Sequence, residues 1–246
     1  MIITRGNNMI NELPCAILCG GLATRLRPMT ETIPKSLIPI NGEPFIAHQL
    51  RLLRSNGIER VVLCAGYLGE MIQEFVDDGS SFALDVKYSF DGAQLLGTGG
   101  AIHKALPMLS DSFFVLYGDS YLPCDYQAVA ASFECADAEA LMTIYRNEGN
   151  FDSSNVEAAG GRIVRYDKRN WTPAMQYIDY GLGVFRSSAF QNVRGNEHCD
   201  LSTIYQDLLA NGRLAAFEVT ERFYEIGSAQ GIEDLKNYLG GRALIR

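Results

Sequence analysis

Residues 16–39 read AILCGGLATRLRPMTETIPKSLIP, and this stretch decides most of the predicted fold. The apolar run Cys15–Cys19 predicts a buried strand, and a pair of glycines follows it directly. A glycine turn at the end of a strand lets backbone N–H groups approach an anion closely. Arg25, Arg27 and Lys35 lie in the loop that follows, and such cations together can neutralise a polyphosphate. The loop therefore predicts a nucleoside triphosphate site. The alternative is an ordinary strand–turn–helix connection with solvated basic residues.

Composition narrows the class of protein. The chain has 246 residues, 47% of them hydrophobic, which suits one α/β domain with a sizeable core. A formal net charge of −8 argues against a general nucleic-acid binder, although locally gathered basic residues can still bind phosphates. The six cysteines lie at irregular spacings without a C-x-x-C pair, so they predict reduced core cysteines of a cytoplasmic protein. No signal peptide or membrane span is expected, and residues 1–12 are predicted to be a disordered extension.

Apolar strand-like runs alternate with amphipathic stretches in the first half of the chain. Predicted strands there are Cys15–Cys19, Arg60–Ala65, Val86–Tyr88 and Phe113–Tyr117, and predicted helices are Pro44–Asn56, Gly69–Val76 and Thr98–Leu109. This alternation predicts an α/β fold with a Rossmann-like, mostly parallel sheet flanked by helices. Ligands of such sheets bind at the carboxyl ends of the strands. The second half predicts strands at Ala140–Arg146, Ser154–Glu157, Arg162–Lys168, Gln176–Phe185, Leu214–Val219 and Phe223–Ile226, with helices at Ser202–Ala210 and Ala229–Leu239.

A longer motif carries a resemblance to a known family. GGLATRLRPMT followed by PKSLIP resembles the G-G-x-(G/A)-T-R-(L/M)-x-P-x-T…P-K-x-(L/M)-x-P signature of the sugar-1-phosphate nucleotidyltransferases. Ala23 stands where that family usually has glycine, so its methyl group narrows the backbone angles open to the loop. The resemblance implies the nucleotide-diphospho-sugar transferase fold, as one domain over residues 13–246. Residues 13–135 would form the nucleotide-binding lobe and residues 136–246 a smaller lobe that binds the sugar phosphate.

The segment from Leu96 to Ala101 bears on the nucleotide. It resembles the L-G-T-(A/G)-G-A of enzymes that use GTP with mannose or heptose 1-phosphates. Glycines there would let a base lie close to the backbone at the start of a helix, whereas a glycine-rich N-cap with Thr98 is the alternative. The predicted nucleotide-binding residues are Leu18, Cys19, Gly20, Gly21, Ala23, Thr24, Asp91, Gln94, Gly97 and Thr98.

Two carboxylates predict a metal site. Asp119 follows the apolar strand FFVLY, at a position where an acid is well placed for Mg²⁺. FYEIGS resembles the family's W-x-D-x-G-(T/S), whose acid is the second metal ligand, and that acid here is Glu225. Asp119 and Glu225 would therefore bind Mg²⁺ as the cofactor. A turn aspartate and a solvated strand-end acid are the alternatives.

The sugar-phosphate site is predicted from two further segments. The run at 166–168 resembles the family's F-x-E-K, and the run at 178–181 stands where relatives show I-N-(A/G)-G. Asp179 and the bulky Tyr180 would reshape the sugar pocket, although a buried strand with a hydrogen-bonded Asp179 is the alternative. The predicted sugar-phosphate-binding residues are Asp119, Asp167, Lys168, Asp179 and Tyr180.

The function implied by the resemblance is transfer of a nucleotidyl group from a nucleoside triphosphate to a sugar 1-phosphate. Arg25 and Lys35 would be the catalytic residues, in a guanylyltransferase for heptose or mannose 1-phosphate. The alternatives are a hexose 1-phosphate uridylyl- or thymidylyltransferase, and a catalytically silent regulatory subunit of the same fold. Nucleic-acid and membrane partners are not expected, and association of identical chains is left open. His48, His103 and His198 form no ligand set and are assigned no role.

Overall fold

The computed structural model describes residues 12–195 and 197–243, so residues 1–11 of the predicted extension lie outside the described residues. Strands and helices alternate through most of this length. In chain order they are β1 (Cys15–Leu18), β2 (Pro39–Ile40), β3 (Glu43–Pro44), α1 (Phe45–Ser55), β4 (Arg60–Ala65), α2 (Gly69–Val76), β5 (Asp85–Phe90), α3 (Gly97–Ala105), β6 (Ser112–Tyr117), β7 (Ser120–Tyr121), α4 (Tyr126–Cys135), β8 (Ala140–Arg146), β9 (Val156–Ala159), β10 (Arg162–Tyr166), β11 (Tyr177–Arg186), α5 (Leu201–Ala210), β12 (Leu214–Val219), β13 (Tyr224–Glu225) and α6 (Ala229–Ala243).

A nine-stranded sheet forms the centre of the molecule. Its main path runs β10-β9-β11-β6-β1-β4-β5, and β8 pairs with both β11 and β12. β1 is parallel to β4 and β6, and β4 is parallel to β5. β11 joins β6 in the antiparallel sense, so the strands of the second half extend the same sheet. The carboxyl ends of β1 and β6 therefore meet at one edge, where the site lies.

Helices cover both faces of the sheet, which confirms the predicted fold class. The apolar residues of α1, α2 and α4 pack in one core cluster, and those of α3 and α5 pack in a second one. Side chains alternate between these clusters along β1, because successive residues of a strand point to opposite faces. A third cluster joins α6 to β2 and to the start of α1. No helix within the described ranges is long and apolar enough to cross a bilayer.

Several boundaries differ from the sequence prediction. Helix α4 was not predicted, although Asp125 caps it by accepting the N–H groups of Gln127 and Ala128. The α-helix predicted at Thr98–Leu109 ends at Ala105, and a 3₁₀ turn that contains a proline near its start follows. The strands predicted at Arg162–Lys168 and Phe223–Ile226 are shorter, because only part of each run finds a paired neighbour.

Candidate active site

A cleft of about 440 Å³ opens at the carboxyl ends of β1 and β6. The loop after β1, the start of α3, the turn after β6 and the residues before α5 and α6 form its walls. All the predicted nucleotide-binding residues except Gln94 line it, together with Arg25, Lys35 and Asp119. Gln94 lies exposed in the loop before α3 and does not line the cleft. The remaining lining residues are Leu26, Ser36, Leu95, Ala101, Tyr117, Gly118, His198 and Gly227.

The two glycines after β1, Gly20 and Gly21, have different roles. A Cβ on Gly20 would lie 2.9 Å from the backbone nitrogen of Gly66, so this glycine is required by close packing of two loops. A Cβ on Gly21 would meet nothing within 4 Å, so this glycine faces open space at the cleft. The neighbouring Cys19 thiol stays neutral, because burial raises its pKa to about 12. The polar groups offered by this wall are therefore mainly backbone atoms.

Ala23 has a strained backbone conformation, as its place at a usual glycine position suggested. Its backbone is left-handed, at φ 46° and ψ 41°, a conformation that glycine adopts without the penalty of a Cβ. The Thr30 hydroxyl donates to the Ala23 carbonyl at 2.8 Å, and the Leu26 N–H donates to the same oxygen at 3.1 Å. These bonds fix the turn that starts the 3₁₀ segment Thr24–Leu26. Arg25 stands exposed on that segment at the rim of the cleft.

Charged groups converge at the β6 end of the cleft. Lys35 Nζ donates to Asp119 Oδ2 at 2.7 Å. Glu225 lies near this pair: burial and then the charge of Asp119 raise its pKa, against the opposing effects of Lys35 and Arg25. Charges from three separate segments of the chain are therefore neighbours in space.

The chemistry of these groups fits a magnesium ion. Burial and the charge of Asp119 raise the pKa of the partly buried Glu225 carboxyl, and a bound cation would stabilise its ionised form. Within the described ranges no set of three or more His, Cys, Asp or Glu side chains is arranged to hold a metal. Asp119 and Glu225 therefore suit Mg²⁺, which usually keeps waters and takes substrate phosphate oxygens as further ligands.

Gln49 holds the turn that carries Asp119, and sequence reasoning missed it. Its side-chain nitrogen donates to the Tyr117 carbonyl at 3.1 Å and to the Ser120 carbonyl at 2.7 Å. Gln49 comes from α1 and is buried. The Ile226 N–H also donates to the Asp119 carbonyl, at 2.9 Å. No local pattern around Gln49 signals this role, because both of its partners lie about 70 residues away along the chain.

Asp91 and the start of α3 form the other end of the cleft. Asp91 Oδ2 accepts the Leu96 N–H at 3.3 Å, and burial raises the pKa of this carboxyl despite that bond. Gly97 and Thr98 line the cleft beside it. This end is suited to a polar, largely uncharged group such as a nucleobase edge.

The glycines of α3 mainly serve a contact inside the protein. The Cys199 carbonyl accepts the N–H groups of Gly99 at 2.8 Å and Gly100 at 3.1 Å. The Thr98 hydroxyl oxygen accepts the Leu201 N–H at 2.8 Å. A Cβ on Gly97 would lie 2.6 Å from the Cys199 carbonyl oxygen. These glycines thus let residues 197–201 dock on the helix start, and their predicted contact with a base stays a prediction.

The predicted sugar-phosphate residues divide into two groups. Lys168 Nζ lies 3.4 Å from Asp179 Oδ2 and 3.3 Å from the Tyr117 hydroxyl. The Tyr166 hydroxyl donates to Asp179 Oδ2 at 3.0 Å, and the Asp179 side chain is only 3% exposed. Since Tyr117 lines the cleft, the Lys168–Asp179 pair borders it. Burial acts to lower the pKa of Lys168, but Asp179 and Tyr117 raise it overall, so the lysine is a permanent cation.

Asp167 and Tyr180 have other surroundings. The Asp167 carboxylate accepts hydrogen bonds from the backbone N–H groups of Arg169 and Asn170 and from the Asn170 side-chain amide. These bonds, the one from the Asn170 side chain most of all, hold the pKa of Asp167 well below its usual range. Tyr180 is 2% exposed and packs against Phe223 in the core cluster opposite Asp179. Successive residues of β11 point to opposite faces, so Asp179 and Tyr180 do not share one pocket.

Comparison with known proteins identifies the family. The model of the nucleotidyl transferase family matches residues 15–239. The chain belongs to this family, and the resemblance read from its motifs is confirmed. Its relatives are sugar-1-phosphate nucleotidyltransferases, transferases of the EC 2.7.7 type.

Individual relatives differ in their bases and sugars. N-acetylmuramate alpha-1-phosphate uridylyltransferase of Neisseria meningitidis is 26% identical over 240 residues, which are 91% of this chain and 97% of that protein. D-glycero-alpha-D-manno-heptose 1-phosphate guanylyltransferase of Campylobacter jejuni is 39% identical over 109 residues, 44% of this chain and 48% of that protein. The structure of HddC from Yersinia pseudotuberculosis, complexed with GMP-PN, covers 92% of this chain and 99% of its own at a TM-score of 0.78 and 21% identity. This last likeness shows a shared fold.

Proposed function

We propose that the protein transfers a nucleotidyl group from a nucleoside triphosphate to a sugar 1-phosphate, forming a nucleotide-sugar and pyrophosphate. One observation carries the proposal: Lys35, Asp119 and Glu225 converge at one end of a cleft that Arg25 also lines. Such a set serves phosphate transfer, in which positioning and charge neutralisation provide most of the catalysis. Membership of the nucleotidyl transferase family supports the same reaction class.

The residues take distinct parts in the reaction. An oxygen of the sugar phosphate attacks the α-phosphorus in line, and the bond from that phosphorus to the bridging β-phosphate oxygen breaks, releasing pyrophosphate. Arg25 neutralises the leaving pyrophosphate, and Lys35 stabilises the charge on the reacting phosphates. Lys168 holds the attacking phosphate. Asp119 and Glu225 would hold Mg²⁺, which supplies charge neutralisation of the phosphate oxygens when it is bound.

Lys35 must change its partner when substrate binds. In the structure its ammonium group is neutralised by Asp119 at 2.7 Å. A triphosphate offers Lys35 a stronger anionic partner, and this exchange would free the Asp119 carboxylate, one of the two groups that would hold Mg²⁺. The ion pair thus keeps both groups near the cleft and compensates their charges in the free protein.

We propose GTP as the nucleotide. A carboxylate at the nucleoside end accepts hydrogen bonds, and guanine offers two adjacent donors, its N1–H and 2-amino groups, where uracil and thymine offer one. Asp91 supplies this carboxylate. The Leu96 to Ala101 segment and the similarity to the Campylobacter heptose 1-phosphate guanylyltransferase support the same choice. The sugar would then be a heptose or mannose 1-phosphate.

A uridylyltransferase is the second candidate within this class. The Neisseria uridylyltransferase matches the chain over nearly its whole length, and this similarity favours it. A matrix of the four nucleoside triphosphates against heptose, mannose, glucose and N-acetylmuramate 1-phosphates, followed by pyrophosphate release, distinguishes the candidates. The highest kcat/KM with GTP supports the guanylyl proposal, and a higher kcat/KM with UTP refutes it.

A silent regulatory subunit of the same fold is disfavoured by the charges of the cleft. Arg25, Lys35, Asp119 and Glu225 are all present, and the charges of the first three act on Glu225, so the groups that turnover would use lie together. Nucleotide binding without pyrophosphate release in any cell of that matrix would favour the regulatory subunit. Cytoplasmic nucleotide-sugar biosynthesis is the role we propose for the active enzyme.

A further inference from the structure

His198 enters the cleft from the second half of the chain. It lines the cleft at the end where α3 begins, and a Cβ on Gly97 would lie 2.9 Å from its Nε2 atom. The imidazole therefore covers the backbone of Gly97 directly. Asp91 and Leu95, in the loop that leads to Gly97, line the same cleft.

The position of His198 is fixed by its neighbours in the chain. The Cys199 N–H donates to the Leu96 carbonyl at 2.8 Å, and the Cys199 carbonyl accepts from the first turn of α3. A Cβ on Gly100 would lie 3.0 Å from the Glu197 carbonyl oxygen, so the segment on both sides of His198 is seated closely on the helix. This docking holds the imidazole at the cleft without engaging the ring itself.

The ring of His198 is free to meet a ligand. Its side chain is exposed, and it makes no hydrogen bond to any other residue in the part of the chain that the structure describes. An imidazole offers a flat face for stacking and ring nitrogens for hydrogen bonding. The ring nitrogen Nε2 lies over Gly97, at the end of the loop that begins at Asp91 and that is proposed to bind the base.

We propose that His198 is a nucleoside-binding residue, which the docking of residues 197–201 on α3 delivers to the nucleotide site. The proposal rests on the proposed nucleotidyl transfer and adds a contact from the second half of the chain. Binding of the base thus joins the two halves of the molecule. Truncation of His198 removes a contact made with the bound triphosphate as well as with the transition state, so it raises the KM for the triphosphate more than it lowers kcat.

Nuclear magnetic resonance can observe this contact directly, because the chain has only three histidines. The imidazole C–H signals of wild-type protein are followed while GTP, UTP, dTTP and CTP are added in turn, and His198→Gln assigns one set. Binding of each nucleotide is measured independently by calorimetry. We expect the triphosphate that binds to move the His198 signals while those of His103, outside the cleft lining, stay within a small general shift. Unmoved His198 signals at saturation with a bound triphosphate overturn the proposal.

Kinetics separate this proposal from the proposed function. His198→Ala is expected to raise the KM for the triphosphate about tenfold, the scale of one base-stacking contact, with the KM for the sugar phosphate within about twofold. His103→Ala is the matched control on α3 and should leave both constants unchanged. A His198→Ala enzyme with a normal triphosphate KM refutes the role of His198 alone. Absence of transfer by the wild-type protein with every triphosphate refutes the proposed function, and with it this proposal.

Discussion

Lys35 and Asp119 form an ion pair at 2.7 Å across 84 residues of sequence, at the point where the loop after β1 meets the turn after β6. The lysine side chain is 16% exposed and the aspartate side chain 31%, so both groups remain accessible from the cleft. A partly buried charge carries a desolvation cost when it has no partner of opposite charge. Lys35 and Asp119 are each such a partner for the other. In the free protein the charges of Lys35 and Asp119 therefore neutralise each other. Both groups lie near the carboxylate of Glu225, where phosphate transfer would use them.

Replacement of Asp119 tests that arrangement. Asp119→Asn removes the negative charge but preserves the shape, so turnover is expected to fall by about a hundredfold or more while the fold persists. Asp125→Asn is the control, since Asp125 caps α4 away from the cleft. Steady-state kinetics and circular dichroism check both variants. An Asp119→Asn enzyme that turns over at the wild-type rate would remove this carboxylate from the account.

Arg25 and Arg27 form a matched pair on one loop. Arg25 lines the cleft, and Arg27, two residues on and also exposed, does not. Arg25→Ala is expected to lower kcat about a hundredfold, because a charge-assisted contact to the leaving pyrophosphate is lost. Arg27→Ala should stay within about threefold of wild type. Equal losses in the two variants would show that the loop contributes only general positive charge.

The raised pKa of Glu225 predicts that the free energy of unfolding depends on pH. Its pKa in the folded protein lies above the reference value of 4.5, so the folded state keeps the proton to higher pH than the unfolded chain does. The carboxylate thus lowers the free energy of unfolding progressively as pH rises from about 4.5 through the folded pKa. Glu225→Gln removes this penalty, and its Tm should exceed that of wild type at pH 7.5 but match it near pH 4.

Added Mg²⁺ should reverse the difference in Tm between Glu225→Gln and wild type at pH 7.5. Ionised Glu225 is the form that binds a cation, so added Mg²⁺ is expected to raise the Tm of wild type but not of Glu225→Gln. Glu74→Gln, an exposed position on α2, is the control for loss of one negative charge. Thermal unfolding at several pH values, with and without Mg²⁺, checks both effects. A Glu225→Gln protein less stable than wild type at pH 7.5 in the absence of Mg²⁺ contradicts the assigned environment of Glu225.

Alanine substitutions at Gly97 and Gly92 distinguish the effect of backbone strain from the effect of disturbing the docked residues 197–201. Both have left-handed φ angles, +73° and +92°, so alanine costs about 1–2 kcal/mol of conformational strain at either. Only at Gly97 would the new Cβ also collide, 2.6 Å from the Cys199 carbonyl oxygen, whereas at Gly92 the nearest atom is 3.8 Å away. Gly97→Ala should therefore raise the triphosphate KM severalfold and Gly92→Ala should not. Similar KM values for the two variants would argue against a role for the docked segment.

Sequence reasoning succeeded where local patterns determine structure. The strand at Cys15–Leu18 and the glycine turn after it are fixed by hydrophobicity and backbone freedom over a few residues, and a cleft opens at this turn. The special position of Ala23 was also visible, because the family pattern has glycine there and the observed φ is positive. Lys35 and Asp119 could be selected individually from their motifs, but their ion pair depends on how two distant loops fold together.

Other features depend on packing that a single sequence does not encode locally. Gln49 resembles any polar helix residue until α1 is seated against the turn after β6. His198 is an isolated histidine until its segment docks on the glycines of α3. The burial of Tyr180 follows from the face of β11 on which it falls, and the motif around it gives no register. The missed helix α4 had a recognisable signal in its Asp125 cap, which sequence reasoning did not use.

The measurement that tests nucleotidyl transfer most directly follows the two ends of the triphosphate separately. The wild-type protein is incubated with Mg²⁺, the sugar 1-phosphates and each nucleoside triphosphate, labelled with ³²P at either the α- or the γ-position. We predict that the α-label appears in a nucleotide-sugar and the γ-label in pyrophosphate, and that Asp119→Asn lowers the rate of both by about a hundredfold or more. Transfer of the γ-label to the sugar phosphate, or its release as orthophosphate with the α-label left in the nucleoside diphosphate, would contradict it.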